Sequence, residues 1–205
     1  MRLGREARHH LEALERLDGL VAAKRFEEAK GLLFAARDAL RAAGLGHGWV
    51  SWQLASFFDS AGAWERAFEL ADEALAQDPL SLPFHEALAS MTKRARTAFL
   101  DSKRDPAEPT APVLYRLLVD HGGATEEVHL AMARWRLGRG DVSGAHGLAV
   151  AVTVLAPLSA EGWACRAEAA RRRGDEEEAS ACEFEARACA SRAPAPFAVP
   201  GEARA

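Results

Sequence analysis

The amino-acid sequence predicts an all-α protein, and three observations support this. Alanine, the best helix former, makes up roughly a fifth of the 205 residues, whereas isoleucine, a strong strand former, does not occur. Apolar residues recur every three and four positions along most of the chain, which is the spacing of one helical face. No segment shows a strand pattern, so the composition argues against an all-β fold or a parallel sheet.

Glycine and proline divide this periodic pattern into separate helices. Glycine favours the left-handed cap at a helix end, and the residue before proline avoids helical dihedral angles. Three prolines in residues 101–112 predict an extended linker, and residues 193–205 are expected to form a mobile tail. The predicted helices are 11–21, 26–40, 49–60, 63–77, 81–99, 113–120, 125–137, 142–155, 160–173 and 176–191.

The helices form pairs in which small residues keep a fixed register. A residue of the first helix is followed twelve positions later by alanine in the second, at Leu17 and Ala29, Ala55 and Ala67, Ala133 and Ala145, and Ala167 and Ala179. Glycine stands five residues before the second alanine in three pairs, as Gly62, Gly140 and Gly174. Two helices approach closely where both contribute small side chains, so this register predicts antiparallel hairpins.

These residues resemble the motif of the tetratricopeptide repeat (TPR) family. The second pair also carries Leu54, Trp64 and Pro79, and Pro157 closes the third pair. The family's 34-residue period separates Ala145 from Ala179, but the spacing of the earlier pairs is uneven. The resemblance implies an α-solenoid of about four to five hairpins, with a plain alanine-rich bundle as the alternative. The expected repeat domain is 1–192, with units 8–43, 48–79, 81–123 (irregular), 124–157 and 159–192.

Charge and composition exclude several classes of protein. The chain has a net charge of −4, whereas a nucleic-acid binder is usually basic with a concentrated patch. No segment has the ~20 apolar residues of a membrane helix, and the first residues lack a signal-peptide pattern. We therefore expect a cytoplasmic protein that binds neither nucleic acid nor membrane. Its three cysteines, without CxxC spacing, are expected to be buried thiols.

No sequence motif points to catalysis, a metal or a cofactor. The seven histidines form no HExxH pattern, the glycines of residues 44–48 lack the lysine of a phosphate loop, and GxSxG is absent. The sequence therefore predicts a protein that is not an enzyme and needs no cofactor. The alternative is a helical enzyme or metal-binding protein that uses its scattered histidines.

The expected function is that of a protein–protein interaction scaffold. The resemblance implies that a concave face, lined by the first helix of each pair, binds a peptide or helical segment of a partner protein. Self-association and binding of the chain's own tail through Phe197 remain alternatives. Trp49 and Trp52 serve either as partner anchors or as packing residues. The candidate partner-binding residues are Trp49, Trp52, Ser56, Asp59, Leu130, Arg134, Glu168 and Arg171.

Overall fold

The computed structural model describes residues 15–101 and 110–192, and all regular secondary structure within these ranges is helical. This confirms the predicted fold class. The predicted tail 193–205, most of the predicted linker 101–112 and the first predicted helical residues, including Leu11, lie outside the described residues. The helices are α1 (Leu17–Ala22), α2 (Phe26–Ala42), α3 (Gly48–Ser60), α4 (Trp64–Gln77), α5 (Leu82–Asp101), α6 (Ala111–Asp120), α7 (Glu126–Gly138), α8 (Val142–Leu155), α9 (Ala160–Arg173) and α10 (Glu176–Arg192).

The chain divides into two compact units. Unit 1 contains the described residues up to Ala98 together with Arg116–Gly123, and unit 2 contains Phe99–Tyr115 together with the residues from Ala124 onwards. In unit 1, α1 packs on α2, α2 on α3, and α3 on α4. In unit 2, α7 to α10 also pack in chain order, and α7 additionally contacts α9. Short connections between touching helices make each consecutive pair an antiparallel hairpin. The boundaries of the five sequence-derived units stay a prediction.

The residues of the predicted register lie at the helix contacts. Each of the four pairs is buried, with exposed fractions between 0% and 5%. Unit 2 shows the consequence most clearly, because Ala133 and Ala145 belong to one cluster with Leu130, Val152 and Ala169. Side chains of this size let the helix backbones approach closely, so alanine sets the spacing of the hairpins.

Glycine closes the hairpins at the predicted places. Gly174 follows α9 with a φ of 82°, and its left-handed conformation lets the next residue, Asp175, donate its backbone N–H to Ala170. Gly140 has the same left-handed conformation, with a φ of 80°. A Cβ atom is strained in this conformation, so glycine is the favoured residue at both turns.

One helix begins earlier than the sequence predicts. α6 starts at Ala111, so that Pro112 lies within its first turn rather than in the linker. A proline fits this position because the first N–H groups of a helix have no partner within it. Among the described residues, no helix is both long and apolar enough to span a membrane.

Candidate functional site

Helix α3 carries four of the predicted binding residues along one face. Trp49, Trp52, Ser56 and Asp59 are spaced by three or four positions, so they follow one another on the same side of the helix. The glycines before α3 and Gly62 after it confine this stripe to a single 13-residue helix. The stripe runs from an exposed tryptophan at its beginning to a buried carboxylate near its end.

The two tryptophans have different surroundings. Trp49 is 49% exposed. Trp52 is half-buried and stacks on Phe84 of α5, with 5.8 Å between the ring centroids and 23° between the planes. This geometry favours the packing interpretation for Trp52, because an aromatic stack between α3 and α5 stabilises their contact.

The end of α3 forms one wall of a polar pocket of about 760 Å³. The pocket is lined by Ser56, Asp59, Ser60, Ala61, Gly62, Trp64 and Arg94. Both serine hydroxyls donate to backbone carbonyl groups of α3, Ser56 to Trp52 and Ser60 to Ser56. Their oxygen lone pairs therefore remain available to accept hydrogen bonds from a ligand.

Asp59 is the most buried charged side chain of the polar pocket. The residue is 8% exposed, and Arg94 of α5 donates to its Oδ2 through both Nε, at 3.0 Å, and Nη2. Its Oδ1 is buried without a hydrogen-bond partner in the described chain. Only one of the two Asp59 carboxylate oxygens therefore has a donor. Leaving a buried acceptor unpaired costs about 1–3 kcal/mol.

An apolar groove of about 630 Å³ also borders the end of α3. Three of its lining residues, Ser56, Ser60 and Ala61, also line the polar pocket. Phe26 and Phe57 meet edge to face at 6.3 Å in this groove, and 48% of Phe26 remains exposed. The groove is also lined by Leu17, Asp18, Val21, Glu27, Lys30 and Gln53.

The charges around the apolar groove are weighted towards acid. Glu27 pairs with Lys30 at 2.7 Å, which neutralises both side chains. Asp18 is exposed and has no ion-pair partner among the described residues. The groove therefore combines exposed apolar side chains with one carboxylate that no described cation neutralises.

The predicted residues of unit 2 differ from one another in burial and in charge pairing. Leu130 is only 4% exposed and lies in the core cluster, which corrects the expectation that it projects from α7. Its side chain fills the contact of α7 with α8 and α9 and cannot reach a partner while the hairpins are folded. The twelve-residue register shows which side of α7 faces its neighbours. It does not show whether an apolar residue on that side, such as Leu130, is buried in the contact or projects beyond it.

The charged candidates of unit 2 are engaged in ion pairs with one another and with neighbours. Arg134 of α7 pairs with Glu161 of α9 at 2.7 Å. Glu168 accepts from Arg171 at 3.0 Å and from Arg172 at 2.7 Å, which lowers the pKa of its carboxyl group, chiefly through the Arg172 hydrogen bond. Pairs this exposed contribute little to stability, so these side chains form a solvated charged surface.

Three of the described histidines contact an acidic side chain. His47 lies 2.9 Å from Glu73, His121 lies 3.2 Å from Asp72, and His146 lies 3.0 Å from Glu178. Within the described residues, no group of three histidine, cysteine or acidic side chains is placed to hold a metal ion. The hydrogen bond from His146 is the main cause that lowers the pKa of Glu178, and Arg166 adds to it.

The three cysteines are free and buried within unit 2. Burial raises the pKa of the Cys165 thiol and of the Cys182 thiol. A raised pKa keeps a thiol protonated and so suppresses its reactivity, because the thiolate is the nucleophile.

Several pocket residues were not predicted from the sequence. Val21 and Phe26 follow the apolar spacing of their helices and look like core residues, yet 40% and 48% of them are exposed. Arg94 belongs to the long helix α5 and contacts Asp59, 35 positions earlier, so local spacing carries no signal for the pair. The sequence does carry a signal for Phe57. Because Phe57 and Phe58 are adjacent, they cannot both face the same core, so one of them is expected at the surface.

The chain matches no protein-family model and no curated protein. It is similar in structure to MamA MSR-1 C2, with 18% identity, 90% of this chain and 98% of that chain covered, and a TM-score of 0.46. MamA AMB-1 P212121 shares 19% identity over 86% of this chain and 96% of that chain, with a TM-score of 0.45. MamA 41-end from Desulfovibrio magneticus RS-1 shares 12% identity over 95% and 100%, with a TM-score of 0.39.

Proposed function

We propose that unit 1 is a protein-interaction module that binds a peptide or helical segment of a partner protein along α3. The observation that carries this proposal is the continuity of the apolar groove with the polar pocket through Ser56, Ser60 and Ala61. Binding sites for protein segments combine apolar contact area with a few polar groups that set register and orientation. The two cavities supply these two components side by side.

The chemistry of the site also favours binding over catalysis. Both serine hydroxyls donate to backbone carbonyls, so no neighbouring base activates them as nucleophiles. Arg94 donates to Oδ2 of Asp59, so this carboxylate oxygen is already occupied and is not free to take a proton from a substrate. A protein that only binds a partner needs a preorganised surface and no reactive groups. Packed helices provide such a surface, and binding to it costs little conformational entropy.

Peptide selection with two matched variants tests the proposal. A displayed library of random 15-residue peptides is selected on the full chain, and the dissociation constants of the selected peptides are measured by fluorescence polarisation. Val21→Asp places a charge in the apolar groove, so we expect the peptides to bind about tenfold more weakly, on the scale at which 1.4 kcal/mol is tenfold.

Leu80→Asp is the control because Leu80 is also an exposed apolar residue of unit 1, at 92%, and lies outside both cavities. This variant should bind the peptides as the unchanged chain does. Circular dichroism verifies that both variants keep their helical content. Equal affinities of the Val21 variant and the unchanged chain would show that the groove is not the binding surface.

A further inference from the structure

The polar pocket contains a buried carboxylate that has more accepting capacity than its surroundings use. The Asp59 side chain is 6% exposed, and its Oδ1 has no hydrogen-bond partner among the described residues. Its Oδ2 takes both donors from Arg94. A buried carboxylate has a strong requirement for a cation or several donors, because the charge has lost its hydration.

The two partners of this ion pair differ in how freely they can move. The Arg94 side chain is 53% exposed, whereas the carboxylate it contacts is held within the end of α3. Arg94 also donates to Ser90 of its own helix at 2.9 Å, so its guanidinium keeps one partner when it leaves the carboxylate. The carboxylate is therefore the fixed group, and the arginine is the group that can be exchanged.

We propose that Asp59 recognises a basic side chain, lysine or arginine, of the bound segment, and that Arg94 is an internal ligand which this side chain displaces. The inference rests on the proposed binding function of unit 1 and assigns it a ligand chemistry. An incoming guanidinium or ammonium group bonds to the Asp59 carboxylate, and Arg94 moves into solvent. The two serine hydroxyls accept further hydrogen bonds from the same basic group.

The position of the apolar groove defines which neighbours the basic residue has. Ser56 and Ser60, which line both cavities, lie one helical turn apart, about 5–6 Å. An extended peptide advances about 3.3 Å per residue, so we expect the basic side chain about two positions from an apolar side chain in the groove. The partial negative charge at the end of α3, where Asp59 lies, favours the same positive ligand.

A double-mutant cycle measures the contact directly. The probe is the tightest peptide from the selection described above that contains lysine or arginine, together with its glutamine-substituted form. On the unchanged chain, the glutamine form should bind about fivefold more weakly. On the Asp59→Asn variant, the preference for the basic peptide over its glutamine form should disappear, because the amide has no charge. The glutamine form should bind the variant and the unchanged chain with equal affinity.

The Arg94→Lys variant should strengthen the binding of the basic peptide, whereas Asp59→Asn should weaken it. Lysine keeps the charge beside Asp59 but lacks the two-donor fork, so it is a weaker internal competitor and preserves the fold. The basic peptide should bind about threefold more tightly to this variant, and its glutamine form should not. A residue pair that only stabilises the fold would weaken binding in both variants, which separates recognition from a structural role.

Three outcomes overturn the inference. Peptides that need Val21 but show no preference for a basic residue would leave the proposed function standing and remove the role of Asp59. A preference that persists in Asp59→Asn would place the cation elsewhere. A chain that sediments as a dimer, and that Val21→Asp converts to a monomer, would show that a second copy occupies the groove.

Discussion

At the scale of single residues, the contact between Tyr115 and His129 gives unit 2 a dependence on pH. The two side chains meet at 2.8 Å through the tyrosine hydroxyl and Nδ1 of the imidazole. A neutral ring accepts the hydroxyl proton at Nδ1, and a charged ring cannot. Burial lowers the pKa of His129 below its ordinary value of 6.5, so the folded chain favours the neutral form.

The unfolded chain therefore binds a proton at a higher pH than the folded chain does. This contribution to stability is complete above a pH of about 6.5 and is lost as the pH falls from there towards the lowered pKa of the folded state. We expect the urea midpoint to decrease between pH 8 and pH 5.5, and to decrease less in His129→Gln. Equal decreases in the two proteins would contradict this assignment.

At the scale of the helices, glycine has opposite effects at a turn and within a helix. Gly174→Ala introduces a Cβ at a φ of 82° and should lower the free energy of unfolding by about 1–2 kcal/mol. Gly147→Ala, within exposed space on α8, should raise it by about 0.5–1 kcal/mol, because alanine loses less entropy in a helix. Chemical denaturation of both variants measures the difference. Shifts in the same direction would show that the turn does not depend on glycine.

The same local chemistry explains how much of the fold was predictable. α8 and α9 begin and end at the predicted residues because their caps are local: the Asp141 side chain accepts from the backbone of Gly144, and Ser159 accepts from Gly162. The Asp59–Arg94 pair was not predictable, because it depends on how α5 packs against α3. Periodicity also identified the apolar face of α2 but not that its first residue, Phe26, stays exposed.

At the scale of the whole molecule, net charge sets which partners are attracted. The chain carries 30 acidic and 26 basic residues, and its arginines are repeatedly paired with glutamate or aspartate. We expect the full chain to elute from heparin below about 0.2 M salt, since polyanion binding requires unpaired basic groups. Retention at higher salt, tested beside a lysozyme standard, would instead support binding to nucleic acid.

The buried register of alanines has a consequence for how such a chain can diverge. Ala55 and Ala67 hold α3 against α4 from within, while Gln53, Ser56 and Phe57 on the same helix line the cavities. The buried alanines carry the scaffold, and different positions carry the proposed contact surface, so we expect substitutions at the second set to leave the helix contact in place. If unit 1 binds as proposed, exchanging those three side chains should change its specificity, and the melting temperature measures independently whether the helix contact is intact.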